Sequence, residues 1–227
     1  MISIRNLRKS YGGIRALAGC DLEIAQPGIY GLIGPNGAGK TTLFDVMTGV
    51  TEPDAGKVLF DGRDVTRWPA HRLAAFGVAR SFQECRVFPE FSCLENLLFG
   101  AREPESEALR LLQLINLDQY AQEPAANLSF GQRRLLEIVA TFMARPRVLL
   151  LDEPAAGVNP ALLELLLQFI RRMYQERPLL FVVVEHNMEF VMALASEIVV
   201  MHQGAVLERG TPEAIQASPR VMQAYLG

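Results

Sequence analysis

The segment Gly34-Pro35-Asn36-Gly37-Ala38-Gly39-Lys40-Thr41 satisfies the pattern G-x-x-x-x-G-K-[ST] and stands between an apolar run, residues 28–33, and a helical pattern, residues 39–48. No other feature constrains the fold as much, because it requires a strand, a glycine-rich turn and a helix N-terminus in that order. Glycines let backbone N–H groups converge on phosphate oxygens, and the helix dipole favours the negative charge. In this arrangement Lys40 reaches the β- and γ-phosphates, the Thr41 hydroxyl holds Mg²⁺, and Thr42 adds a phosphate contact. Gly34, Asn36, Gly37, Ala38 and Gly39 supply the cradle. A chance glycine turn is a poor alternative, since four constrained positions fall in the right context.

The rest of the pattern agrees with an α/β fold: a P-loop NTPase core with a mostly parallel sheet, an N-terminal antiparallel β subdomain and a small inserted helical subdomain. Residues 148–151 and 179–184 are apolar throughout, as strands covered on both faces should be. Between them, Asn159-Pro160 opens a helix as N-cap and first-position proline, followed by Leu162, Leu163, Leu166 and Ile170. Residues 2–7, 21–25 and 57–60 read as short strands, with turns at Tyr11-Gly12-Gly13 and Asp61-Gly62. Residues 92–120 read as helical, opened by a capping box of Ser92 with Glu95. The whole chain is expected to be a single domain, with the helical subdomain at about 84–145.

Composition excludes some classes. The 227 residues carry a formal charge of −3, which gives no general attraction to nucleic acid. The three cysteines, Cys20, Cys85 and Cys93, contain no CxxC pair, which fits a reducing compartment and neither a disulfide framework nor a zinc site. The N-terminus lacks the apolar core of a secretory signal, and no apolar run approaches the roughly 20 residues that span a bilayer. Any service to a membrane would therefore be by docking.

Further chemistry lies at strand ends. Leu149-Leu150-Leu151-Asp152-Glu153 is an apolar strand that ends in two carboxylates, which an open α/β sheet places at the ligand crevice. Asp152 is then placed to hold the Mg²⁺ shell, and Glu153 to accept a proton from an attacking water. His186 leaves the sheet after residues 179–184, and Gln83 follows another strand-like run, Val78-Ala79-Arg80-Ser81-Phe82; alone, each would mean little. Asn127-Leu128-Ser129-Phe130-Gly131-Gln132 precedes a helix at 133–144, with Ser129 and Gln132 as a second capping box. Gly131 leaves the first turn bare, so an anion can approach it.

This ordered set resembles the ABC transporter ATPase family over essentially the whole chain: the phosphate loop, Gln83, Leu128-Ser129-Phe130-Gly131-Gln132, Leu150-Leu151-Asp152-Glu153-Pro154 and His186. The resemblance implies an ATPase that works as a head-to-tail dimer. Ser129, Gly131 and Gln132 of one subunit would close over ATP held by Lys40 of the other. Glu153 would be the general base, His186 would hold the γ-phosphate and align water, and Gln83 would sense Mg²⁺ beside Thr41 and Asp152. Tyr11 would stack on adenine.

A narrower resemblance is to branched-chain amino acid importer ATPases of the LivG type, with urea and amide importers close by. Residues 77–83, 154–160 and Ala224-Tyr225-Leu226-Gly227 carry it; lipopolysaccharide-export ATPases share parts of these stretches. It implies membrane permease subunits as partners, a second ATPase subunit (the same chain or a related one), an indirect link to a substrate-binding protein, and a peripheral place on the cytoplasmic face of the membrane. Residues 84–95 would form much of the docking surface. Phe130 stands where most of the wider family has glycine, and Asn159 where aspartate is common; both suit the LivG branch. The helical stretch after Gly100 is shorter than that branch leads one to expect. A non-transport ABC ATPase usually has two fused domains or a coiled-coil insert, and a small-molecule kinase has no use for the Ser129 helix.

Overall fold

The computed structural model describes residues 1–82 and 84–226. The chain opens with β1 (Ile2–Tyr11), β2 (Ile14–Ile24), β3 (Gly28–Ile33) and α1 (Lys40–Met47). It continues through β4 (Ala55–Phe60), β5 (Arg63–Asp64), α2 (Ala70–Phe76) and β6 (Val78–Arg80). The helical stretch holds α3 (Cys93–Leu98), α4 (Glu105–Leu114) and α5 (Phe130–Met143). Then come β7 (Val148–Asp152), α6 (Pro160–Glu176), β8 (Leu180–Val184), α7 (Met188–Leu194), β9 (Glu197–His202), β10 (Ala205–Gly210), α8 (Pro212–Gln216) and α9 (Pro219–Leu226).

Two sheets form. A four-stranded sheet in the order β2-β1-β4-β5 is antiparallel, as the N-terminal pattern implies. A six-stranded sheet in the order β10-β9-β3-β8-β7-β6 is parallel except for the β10–β9 pair. Side chains alternate across a strand, so the all-apolar strands of the second sheet serve two cores. Leu149, Leu151, Phe181 and Val183 face a core built with α3 to α6. Val148, Leu150, Val182 and Val184 face a second core shared with α1 and the antiparallel sheet. A smaller cluster joins Ile33, Ile198 and Val200 to α7, α8 and α9 through Val191, Ile215 and Val221.

Local signals placed the helix starts well. Ser92 Oγ accepts the Glu95 N–H at 3.1 Å while the Glu95 carboxylate accepts the Ser92 N–H at 2.8 Å. Asn159 Oδ1 accepts the Leu162 N–H at 3.0 Å, and Pro160 opens α6. The expectation for residues 21–25 is corrected: β2 begins at Ile14, because the hairpin with β1 pairs up to Tyr11 and Ile14 through several register shifts. Those bulges break the alternation that marks a strand in sequence. Helix α2 had no sequence-based expectation.

The aromatic contacts of Phe142 join α5 to the sheet: its ring lies 5.1 Å from Phe169 on α6, edge to face, and 5.9 Å from Phe181 on β8. Phe142→Ala is therefore expected to lower unfolding free energy by about 3–5 kcal/mol, read from urea denaturation; a loss below about 1 kcal/mol would show that the site collapses around the gap.

Candidate active site

Three parallel strands set the site. Val184 of β8 lies opposite Leu32 of β3 on one side and Asp152 of β7 on the other, so the three strands end at one level. The glycine-rich loop leaves β3 there. Gly34 has φ +154, and an added Cβ would lie 2.2 Å from the Met201 carbonyl oxygen of β9, so no side chain fits. Lys40 opens α1 and is only 6% exposed. Its ammonium donates to the carbonyls of Gly34 at 2.7 Å and Pro35 at 3.2 Å. Burial pushes its pKa down, while Glu153 and Asp152 oppose that shift. Thr41 is exposed on the first turn, and Thr42 is half-buried.

Asp152 is buried, and its Oδ2 lies 2.6 Å from Arg80 Nη2. The other arm of Arg80 reaches Asp45 of α1, also at 2.6 Å, and Thr48 Oγ1 at 3.3 Å. Arg80 thus clamps the helix after the glycine loop to the acidic strand end. Arg80 and Asp45 escaped the sequence reading because their pairing spans 35 and 72 residues and leaves no local mark.

Glu153 has a left-handed backbone, φ +47, uncommon for a residue with a side chain. Its N–H donates to the Val184 carbonyl at 2.9 Å, and its Oε1 lies 3.1 Å from His186 Nε2. Glu185, also missed, is buried beneath this pair. Its carboxylate accepts the N–H of Ala155 at 2.6 Å, of His186 at 3.0 Å and of Asn187 at 3.1 Å. Burial pushes the Glu185 carboxyl up, and those N–H groups oppose it. One buried side chain thereby ties the turn after β7 to the turn after β8.

The second capping box opens α5. Ser129 Oγ accepts the Gln132 N–H at 3.3 Å, and Gln132 Oε1 accepts the Ser129 N–H at 2.9 Å. The Gln132 amide oxygen is therefore used within its own helix. Gly131 is buried, and an added Cβ would lie 2.8 Å from Leu162 Cδ1, so its bareness serves packing against α6. Ser129 is exposed, and among the described residues neither Ser129, Gly131 nor Gln132 shares a hydrogen bond or ion pair with Lys40 or Asp152.

Tyr11 sits at the hairpin tip, half exposed, with Lys9 Nζ 5.4 Å from its ring centre; β2 of that hairpin packs against α1. Gln83 lies outside the described residues. Among the described residues no group of three or more His, Cys, Asp or Glu forms a metal cluster. The hard oxygens of Thr41 and Asp152 instead suit Mg²⁺, which takes one or two protein ligands and completes its shell with phosphate oxygens and water.

With this geometry in hand, the likenesses to other proteins are extensive. The ABC transporter family model matches residues 17–156, and a model described as "Branched-chain amino acid ATP-binding cassette transporter" matches residues 205–227. The high-affinity branched-chain amino acid transport ATP-binding protein BraF of Pseudomonas aeruginosa is 38% identical over 249 aligned positions, covering 100% of this chain and 98% of BraF. LivG of Escherichia coli is 36% identical, with the same coverage of each chain. With 249 aligned positions against 227 residues, the BraF alignment holds at least 22 that this chain lacks. The crystal structure of MJ1267, an ATP-binding cassette of an ABC transporter in its ADP conformation, superposes with a TM-score of 0.90 at 28% identity, covering 100% of this chain and 98% of that one.

Removing the Arg80 clamp would leave Asp45 and Asp152 facing each other without their shared cation. Arg80→Ala is expected to cost about 3–5 kcal/mol of unfolding free energy, measured in urea, with Arg80→Lys restoring only part because one ammonium cannot fork between two carboxylates. Full restoration by lysine would show that charge alone matters.

Proposed function

Because this chain belongs to the ABC transporter family of ATP-binding, ATP-hydrolysing proteins, we propose that it is the ATPase subunit of an importer for branched-chain amino acids or a related small polar solute such as urea or amides. One observation carries the reading. Lys40, Asp152 with Glu153, and His186, from three separate segments, converge at one sheet edge in a chain that matches branched-chain amino acid transport proteins along its whole length. The C-terminal match at residues 205–227 points to the same branch.

In this reading the loop amides and Lys40 neutralise the triphosphate, and Tyr11 stacks on the base. Thr41 and Asp152 hold Mg²⁺, with Gln83 as a further contact; the ion supplies charge neutralisation at the transferred phosphoryl group. Glu153 takes the proton of the attacking water, and His186, within hydrogen-bond reach of Glu153, aligns that water against the γ-phosphate. ATP is sandwiched between two ATPase subunits, with the exposed Ser129 and the α5 first turn of one subunit closing over the other's phosphate loop. The second ATPase subunit is either the same chain or a related one.

The segment at about 84–145 acts as the helical subdomain that faces membrane permease subunits, which a substrate-binding protein supplies. Near its start, exposed Phe88, Phe91 and Phe99 form a cluster with ring centres 4.5 to 6.3 Å apart, an apolar surface of the kind that marks a docking site. No described helix is long and apolar enough to cross a membrane. The place proposed for the subunit, peripheral on the cytoplasmic face, rests on its kinship with importer ATPases.

Glu153→Gln should retain ATP binding, lose hydrolysis by roughly 100-fold or more and accumulate as an ATP-dependent dimer; a monomer in gel filtration with ATP would sink the shared site. Ser129→Arg should abolish turnover while leaving ATP binding to the monomer within a few-fold, and loss of both would argue against action across the interface. For cargo, ATPase activity in membranes holding the permease should rise with leucine and its binding protein; stimulation by urea alone would reassign the solute.

A further inference from the structure

We propose that the buried pair Arg134–Glu137 on α5 is a positioning device for Glu153, coupling the backbone of the hydrolytic turn to the helix that carries Ser129 and to the chain entering the helical subdomain. The proposal rests on the reading of Glu153 as the general base. Arg134 has 1% of its surface exposed, and its bonds go to main chain and to Glu137 rather than to any side chain that the reading assigns to ATP. Its guanidinium works almost wholly on main chain. Nη2 donates to the carbonyls of Asp152 at 2.6 Å and Glu153 at 3.0 Å. Nη1 donates to the Phe82 carbonyl and to Glu137 Oε2, the latter at 2.7 Å. Its Nε has no partner, so the group is held buried with one donor unsatisfied.

Glu137 completes the link from one turn further along α5. Its Oε1 accepts the Phe82 N–H at 3.4 Å, and the Arg86 N–H also faces its carboxylate. The pair therefore touches three segments: the turn after β7, the residues on either side of Gln83, and α5 itself. Burial pushes the Glu137 carboxyl up, while Arg134 and the two backbone N–H groups oppose it.

Two physical points argue that this arrangement serves more than stability. A buried ion pair is often no more stabilising than apolar side chains of the same volume. And Glu153 holds φ +47, a conformation that persists only where surrounding bonds impose it. The N–H of Glu153 is held by Val184 and its carbonyl by Arg134 and the Ala156 N–H, so the Arg134 side chain reaches this backbone from α5, outside the sheet edge. A guanidinium fork transmits direction as well as charge, because its two arms are coplanar and rigid. A shift of α5, Phe82 or Arg86 thus alters where the Glu153 carboxylate points.

The test uses the full chain with both partners replaced. Arg134→Met with Glu137→Met removes the pair without leaving a buried charge, the replacement that most favours a retained fold. We expect melting close to the parent, affinity for a fluorescent ATP analogue within about two-fold, KM unchanged, and kcat lowered roughly 10- to 100-fold, the scale of an ångström-level misplacement. Arg134→Lys, which can keep the charge on Glu137 but not both carbonyls, should fail to rescue kcat. Parental kcat in the double variant overturns the proposal, as does a kcat that recovers whenever melting recovers. Should the double variant not fold, Arg134→Lys decides alone: kcat within two-fold of the parent overturns it. Glu153→Gln separates the two readings. If that variant still hydrolyses ATP, the general-base assignment has failed; if it is inactive while the double variant turns over normally, only the positioning role has.

Discussion

The parallel hydrogen-bonded register of β3, β8 and β7 is the constraint on which the site depends, since it levels the ends of three strands drawn from distant parts of the chain. Burial on both faces holds that register. Leu149 and Leu151 point into the core under the helices, while Val148 and Leu150 point into the core shared with α1. A slip by one residue would exchange the two sets and carry Asp152 off the edge it shares with the glycine loop. The apolar strands thus do the positioning for polar groups that could not organise themselves.

Around that edge, buried charge acts as a brace. Arg80 draws α1 toward β7 through Asp45 and Asp152, and Glu185 draws together the turns that hold Glu153 and His186. Each group sits where desolvation penalises its charge, and each has partners that offset the penalty with short, directed bonds. Lys40 differs: its present partners are the carbonyls of its own loop, neutral groups that a triphosphate can outcompete. The braces join charged protein groups to one another, whereas the cation at the phosphate loop is hydrogen-bonded to neutral carbonyls.

What could be read from sequence was the chemistry that repeats at fixed spacing. The glycine-rich loop, the two capping boxes and the Asn159 cap all depend on residues within a few positions of one another, so the order of residues and the geometry are nearly the same information. Strand–helix alternation gave the parallel sheet for the same reason. Arg80, Asp45, Arg134, Glu137 and Glu185 were not legible, because a charged residue in sequence looks solvated until the fold supplies a distant partner. The bulged β1–β2 hairpin hid the true length of β2, and Gly131 proved to be bare for Leu162 as much as for any anion. For Ser129 the residues themselves give a capped helix start, and its expected place over a partner's nucleotide came from the family resemblance.

The three phenyl rings of Phe88, Phe91 and Phe99 have a consequence for the life of the unassembled subunit. They cluster on the surface at 43%, 39% and 63% exposure, held by loop and helix segments on either side of α3. Water gains by covering such a patch, so a solitary chain is driven toward whatever greasy surface it meets first, including its own kind. Production of this subunit in excess of its membrane partners would therefore leave a pool prone to clumping and open to chaperones, and stoichiometric synthesis is the simplest way to keep that pool small.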